Sequence, residues 1–353
     1  MTNVRLQRVQ QFLQSASGLT ERSHPLFVEA VQLLPSVTGL SRQNVEWALE
    51  NALEVTPEAW DFDNLLQRVP ECTRAHVLLS ANVFVGALRA IALGLAASAE
   101  VYVRPSRREP QMVALLAKAA PHTFIVVPEL AVLPGDHVWA YGSDETMTQL
   151  KAALPAGAVL HAHGHGFGIA VLTEREIARA DECERIARVL AVDAAAFDQR
   201  GCLSPRVVII EGGPNIIERF SRALAAALAD RESSVPRGQF SRDELADIAR
   251  YRDTLCMAGT VLDAGSGLVS FELESLPFIL PPVGRVLHVK YCDNAASALQ
   301  PMAGKITAVG VPSVESELAF RLRQALPHAR IVELGMMQRP KLDGPVDLRV
   351  NAA

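Results

Sequence analysis

A chain of 353 residues is too long for one ordinary hydrophobic core and suits two. Hydrophobic residues make up 49% and charged residues 21%, which excludes a disordered chain. A net charge of −5, with no basic run, gives no electrostatic case for nucleic acid or an anionic membrane surface.

The first residues, Met1-Thr2-Asn3-Val4-Arg5, are polar and lack the apolar core of a signal peptide. The most apolar window, Val85 to Val103, is interrupted by Arg89 and Glu100, so no transmembrane segment is expected. These features point to a cytoplasmic protein. Cysteines stand at 72, 183, 202, 256 and 292, an odd number with no C-x-x-C pair. That pattern argues against a disulfide framework and a cysteine-rich zinc site, and predicts mostly buried thiols.

Residues 1–74 read as helical. Val9, Phe12 and Leu13 share a helical face, and Ser41 can cap a run in which Val45, Leu49 and Leu53 recur. From residue 75 short apolar runs alternate with helices. Strands are expected at 76–80, 100–103, 123–127, 137–140 and 158–161. Helices are expected at 84–95, at 112–119 capped by Ser106, and from Ser143 to Leu154. Such alternation implies a parallel sheet with helices on both faces, whose ligands gather at the C-terminal strand ends. A helix from Glu174 to about Val192 leads to a turn, then to a strand at Arg206–Ile210. Pro214 suits a first helical position, and Ser241-Arg242-Asp243-Glu244 is a capping box. Further strands are expected near 259–262, 268–273, 285–290 and 305–309, with Asp293 and Ser313 as caps. The pattern divides the chain into residues 1–74, 75–175 and 176–353.

Four stretches carry candidate chemistry. In Asp198-Gln199-Arg200-Gly201-Cys202-Leu203-Ser204-Pro205 a cysteine follows a glycine in a turn. A thiolate there can take up an acyl group, with Gly201 allowing a tight turn. The competing reading is a buried structural cysteine. In Ser80-Ala81-Asn82 an asparagine follows a strand; Asn82 can donate to a developing oxyanion or simply cap a helix. Arg104-Pro105-Ser106-Arg107-Arg108 brings cations to a strand end, where guanidinium groups suit a phosphate or form a solvated face. Gly142 and Ser143 open a helix, either as a pyrophosphate site or as an ordinary cap. His161, His163 and His165 alternate along one strand face, but no fourth ligand is apparent and no metal is assigned.

In order, these segments resemble the aldehyde dehydrogenase superfamily, and within it the acyl-CoA reductase (LuxC) family. The likeness runs from about residue 75 to 348. It rests on the Asp198-Gln199 to Ser204-Pro205 context of Cys202 and on Gly335-Met336-Met337-Gln338-Arg339-Pro340 with Asp343-Gly344 near the end. The resemblance implies an α/β, aldehyde-dehydrogenase-like fold with a Rossmann-type cofactor domain and an α/β catalytic domain. It implies NADPH-dependent reduction of an acyl-CoA or acyl-carrier-protein thioester to an aldehyde. Cys202 would be the nucleophile and Asn82 an oxyanion donor. Ser80, Arg104, Ser106, Arg107, Gly142 and Ser143 would bind the cofactor. A homo-oligomer or a complex with a partner enzyme is compatible with it.

Two departures bear on the chemistry. The family's Glu-Leu-Gly-Gly-Lys segment falls near Ala162-His163-Gly164-His165, which holds no carboxylate to activate water. The later ribose-holding Glu-x-Phe-Gly-Pro segment is not evident between Pro277 and Gly284. Rival readings are an aldehyde-oxidising or semialdehyde-type enzyme and a non-catalytic acyl- or partner-binding relative.

Overall fold

The computed structural model describes residues 3–272 and 279–349. Its contacts group into two units: the chain up to His165 together with the chain from Arg339 onward, and Gly166–Gln338. The grouping keeps the helical residues 1–74 with the first sheet and changes units at 165/166 and again at 338/339.

The first unit opens with α1 (Val4–Ala16), α2 (Pro25–Thr38), α3 (Arg42–Asn51) and α4 (Ala59–Arg68). Ser41 caps α3 by accepting from the Asn44 amide, and Val45 and Leu49 are buried. The sheet follows as β1 (Arg74–Leu78), α5 (Gly86–Ala97), β2 (Glu100–Arg104), α6 (Gln111–Ala119), β3 (Ile125–Val126), β4 (His137–Tyr141), α7 (Asp144–Ala153) and β5 (Val159–His163). The strands lie in the order β3-β2-β1-β4-β5 and are parallel throughout. The expected strand at 123–127 shrinks to two exposed residues because it lies at the sheet edge.

The N-terminal helices do not stand apart. Arg5 Nε donates to the Ala96 carbonyl at 2.6 Å and Arg8 Nε to Leu95 at 3.0 Å, both on α5. Helix α5 itself is buried along its length, so Arg89 lies at 3% exposure. Its guanidinium donates to the carbonyls of Pro340 (2.8 Å), Lys341 (2.5 Å) and Gly344 (2.5 Å) and pairs with Glu54 at 2.7 Å. The charge that broke an apolar window in the sequence therefore draws the end of the chain back to the first unit.

The second unit contains β6 (Phe167–Thr173), α8 (Ala180–Ala195), β7 (Pro205–Glu211), α9 (Asn215–Ser234), α10 (Arg242–Ala258), β8 (Thr260–Ala264), β9 (Gly267–Phe271) and β10 (Val286–Cys292). It ends with α11 (Ala295–Leu299), β11 (Ile306–Val311), α12 (Glu317–Ala325) and β12 (Arg330–Glu333). Strand order is β12-β11-β6-β7-β10-β9-β8, parallel except for the β8–β9 pair. Helices α11 and α12 cover β6, β7 and β11 with Leu299, Leu318 and Leu322. Tyr251 and Leu255 of α10 pack on Leu268 and Val286.

Several local expectations are corrected. Helix α8 starts at Ala180 rather than Glu174, because the turn that leaves β6 occupies residues 174–179. That strand is buried on both faces, so it lacks alternation and hides beside the glycine-rich histidine stretch. Helix α6 is not capped by Ser106; the buried Glu109 carboxylate accepts from the Met112 amide instead. Asn294 and Ser316, not Asp293 and Ser313, cap α11 and α12. Pro214 is the N-cap residue of α9 and Asn215 its first helical position. The capping box at Ser241 and Glu244 is present. Among the described residues no helix is long and apolar enough to cross a membrane.

Breaking the Arg89 contacts leaves Glu54 and the three carbonyls without their cation. Arg89→Met is expected to lower the unfolding free energy by about 3–5 kcal/mol, read by urea denaturation at pH 7. An unchanged midpoint would show that the tail is held by other contacts.

Candidate active site

Helix α8 delivers the chain into the cysteine turn, and β7 leads it away. Cys202 is half-buried, and the turn closes by the Ser204 amide donating to the Gly201 carbonyl at 3.1 Å. The sequence pointed to Gly201 as the residue that permits the turn. The structure puts the unusual conformations earlier, at Phe197 (φ 52°), Asp198 (φ 50°) and Gln199 (φ 62°). A left-handed conformation costs a residue with a Cβ roughly 1–2 kcal/mol, so three in succession need firm support.

That support is a buried polar cluster at the N-terminal edge of the second sheet. Asp198 and Arg285 are both at 0% exposure, and Arg285 Nε and Nη2 donate to Asp198 Oδ1 at 3.0 and 2.8 Å. The Gly238 amide donates to the other Asp198 oxygen at 2.9 Å, and Gly284 N–H to the Asp198 carbonyl at 3.1 Å. Burial pushes the Asp198 carboxyl up from its ordinary value, against the opposing pull of Arg285 and the Gly238 amide. Gln199 extends the sheet edge: its Oε1 accepts from Val286 N–H at 2.7 Å, while Nε2 donates to the carbonyls of Pro205 (2.8 Å) and Val286 (3.0 Å). On the exit side Gly168 N–H donates to Ser204 at 3.0 Å, and a Cβ at Gly168 would meet the Leu203 carbonyl oxygen at 2.2 Å. Only glycine lets β6 lie that close to the turn. Arg285 was missed by sequence reading; a polar Asp-Gln pair next to buried Ala194–Phe197 was the available signal.

Burial disfavours the thiolate at three of the other cysteines. Burial pushes the thiols of Cys72 and Cys292 up to about 11, and raises that of Cys183. Cys256 is exposed on α10, contrary to the expectation of mostly buried thiols; Cys183 alone of the five is fully buried.

In the first unit the chain order reverses at β1, whose neighbours are β2 and β4. Loops leaving the C-terminal ends of strands on either side of such a switch form a ligand crevice. The β1 loop carries Ser80 and the exposed Asn82. Asn82 is no helix cap, since α5 starts beyond it with Val85 at the N-cap. Arg104 ends β2, followed by Ser106 and the exposed Arg107. Arg104 and Arg107 make no ion pair among the described residues. Gly142 and Ser143 follow β4, but Ser143 Oγ already accepts from Thr146 N–H at 3.2 Å and lies 3.0 Å from Thr146 Oγ1. Asp144 and Glu145 add negative charge to the same first turn. The arginine segment is therefore better fitted to hold an anionic cofactor group than the α7 terminus. The Pro277–Gly284 stretch lies partly outside the described residues; its last residue, Gly284, supports Asp198.

A family model described as acyl-CoA reductase (LuxC) matches residues 23–350. The chain belongs to the acyl-CoA reductase (LuxC) family. Solved structures show the same fold, that of the aldehyde dehydrogenase superfamily. An oxidoreductase from Marinobacter aquaeolei aligns with TM-score 0.68 and 12% identity, covering 98% of this chain and 84% of that one. An indole-3-acetaldehyde dehydrogenase from P. syringae, solved with NAD+, aligns with TM-score 0.66 and 15% identity over 94% and 77% of the two chains. An NADP-dependent enzyme from E. coli aligns with TM-score 0.68 and 14% identity over 95% and 78%. A comparison with curated proteins returns no match.

In this LuxC-family chain the histidine stretch is a stacked ladder. His161 and His163 lie on β5 and share a face, whereas His165 lies beyond the strand and is exposed. His161 stacks on Trp139 at 4.4 Å and meets His137 at 3.1 Å between ring nitrogens. His163 stacks on Tyr141 at 4.4 Å, with neither ring nitrogen hydrogen-bonded among the described residues. No group of three metal-ligating side chains occurs among the described residues.

Burial holds both imidazoles at about 4. The neighbouring His137 adds to the effect at His161, and Asp347 opposes it at His163. An unfolded histidine titrates at about 6.5, so below that pH the unfolded chain binds more protons than the fold. Stability present above pH ~6.5 is therefore lost as pH falls toward 4. Urea midpoints are expected to drop from pH 7 to pH 4, with His163 contributing about 3 kcal/mol of the loss. His163→Phe should show a shallower decline; an equally steep one would place the acid sensitivity elsewhere.

Proposed function

We propose that this oxidoreductase reduces an acyl thioester to an aldehyde with NADPH, through a thioacyl intermediate on Cys202. The observation that carries the reading is Cys202 itself: a half-buried thiol in a turn built on three left-handed residues, within a LuxC-family chain. Such strain in a non-glycine backbone is characteristic of reactive sites.

The Cys202 thiolate attacks the acyl carbon and the donor thiolate leaves, which divides one acyl transfer into two easier steps. The backbone N–H of Cys202 and the exposed amide of Asn82 are assigned to the acyl oxygen as negative charge develops there. A hydride from bound NADPH would add to the thioacyl carbon, after which the C–S bond to Cys202 would break, releasing the aldehyde and returning the Cys202 thiolate. Ser80, Arg104, Ser106 and Arg107 are assigned to its adenosine ribose and 2′-phosphate, a role for which planar guanidinium donors are well matched. Gly142 and Ser143 are assigned a lesser role beside the pyrophosphate, because the α7 terminus is already capped. The stretch Ala162-His163-Gly164-His165 offers no carboxylate to activate water. The acyl-enzyme is then protected from hydrolysis, which favours reduction over aldehyde oxidation.

Acyl-CoA and NADPH should give loss of absorbance at the reduced nicotinamide band and a transient acyl mass on Cys202. Cys202→Ala should abolish both, and undiminished turnover would overturn the reading. Asn82→Ala should lower kcat about 10²-fold. Replacing Arg104 and Arg107 by Gln should raise KM for NADPH about tenfold and leave that for NADH little changed. Equal effects on both cofactors would remove the phosphate role of the arginines.

A further inference from the structure

The Asp-Gln pair ahead of the cysteine does not face a ligand. Asp198 and Gln199 are buried at 0% and 1% exposure, and their polar atoms are spent on the protein itself. Across the sheet edge they meet a second left-handed point, Arg285 at φ 66°, preceded by Gly284 at φ 111°. Backbone and side chain both join the two points: Gly284 N–H to the Asp198 carbonyl, Arg285 to the Asp198 carboxylate, and Gln199 to both polar groups of Val286.

We propose that Asp198, Gln199 and Arg285 are positioning residues, which hold the left-handed run and thereby set where the Cys202 thiol points. The proposal rests on Cys202 being the nucleophile, and it adds residues that touch neither substrate nor cofactor.

Three observations favour positioning over stability alone. Glycine would adopt the left-handed run without strain, yet the sequence has Phe197, Asp198 and Gln199 there and glycine at 201, where φ is not positive. Arg285 is itself fastened, since its Nη1 donates to Glu232 at 2.8 Å and to the Val235 carbonyl at 2.7 Å. The clamp therefore cannot slide along the sheet edge. The downstream side is fixed as well, by Gly168 against Leu203 and Ser204. Between Gln199 and Leu203 lie only Arg200, Gly201 and Cys202. A short span held at both ends transmits a change in the clamp to the thiol.

The test compares Asp198→Asn, Gln199→Ala and Arg285→Lys in the full chain, well below each variant's melting temperature. Iodoacetamide alkylation is followed by peptide mass spectrometry, with the exposed Cys256 as internal reference. In the folded variants the Cys202:Cys256 rate ratio is expected to fall about tenfold. The kcat for acyl-CoA reduction should fall about 10²-fold with KM for acyl-CoA within about twofold, as misplacement of a reacting atom predicts. Arg285→Lys, which keeps the charge, should retain more of both than Asp198→Asn. If Asp198→Asn does not fold, Gln199→Ala carries the comparison, since it removes no charge. A ratio and a kcat equal to wild type, with only the melting temperature lowered, would overturn the proposal. Failure of the thioester reading appears differently, as turnover that survives Cys202→Ala, while the alkylation ratio still reads the clamp.

Discussion

Arg285 is a cation with no access to solvent, at the start of a central strand, and the second unit is arranged to satisfy it. It binds Asp198, Glu232 and the Val235 carbonyl, which lie on the cysteine turn and at the end of α9. Removing a charge from water costs several kcal/mol, and only a complete set of partners offsets that cost. Asp198 must therefore point inward. With Gly284 N–H on its carbonyl as well, the backbone around it is left with little choice but the left-handed run. Cys202 inherits its place from this constraint.

The two units solve a similar problem in different ways. In the first, candidate ligand residues follow the C-terminal ends of β1, β2 and β4, around the reversal in strand order. In the second, the cysteine turn lies at the N-terminal edge, where Gln199 joins the starts of β7 and β10. The first arrangement leaves open loops and exposed side chains such as Asn82 and Arg107. The second encloses the polar atoms of Asp198, Gln199 and Arg285, with Cys202 half-buried just beyond them. The end of the chain serves both units. Gly335 and Met337 amides donate to the buried Asp193 of α8, and the carbonyls beyond Arg339 receive Arg89.

Much of the fold was legible in the sequence because parallel α/β units write strong local patterns. Strands β1, β2, β4 and β7 are apolar runs, and the Ser143 and Ser241 caps obey chemistry confined to four residues. The failures have physical causes too. Strand β6, buried on both faces, has no period to read. Caps chosen by residue type alone missed Glu109, Asn294 and Ser316, because Ser106, Asp293 and Ser313 lay nearby with equal local merit. Cys202 stood out through its flanking residues, whereas the reason for those flanks did not.

The sequence by itself determined the class of fold, the alternation of its elements and the family to which the chain belongs, since these depend on local hydrophobic pattern and short motifs. Which partners Asp198 and Gln199 meet depends on the folded sheets. Asp198 meets a partner 87 residues away, and Arg89 meets carbonyls 251 to 255 residues away. A buried charge selects its partners by position in space, and one chain order is compatible with many such pairings until the sheets have formed.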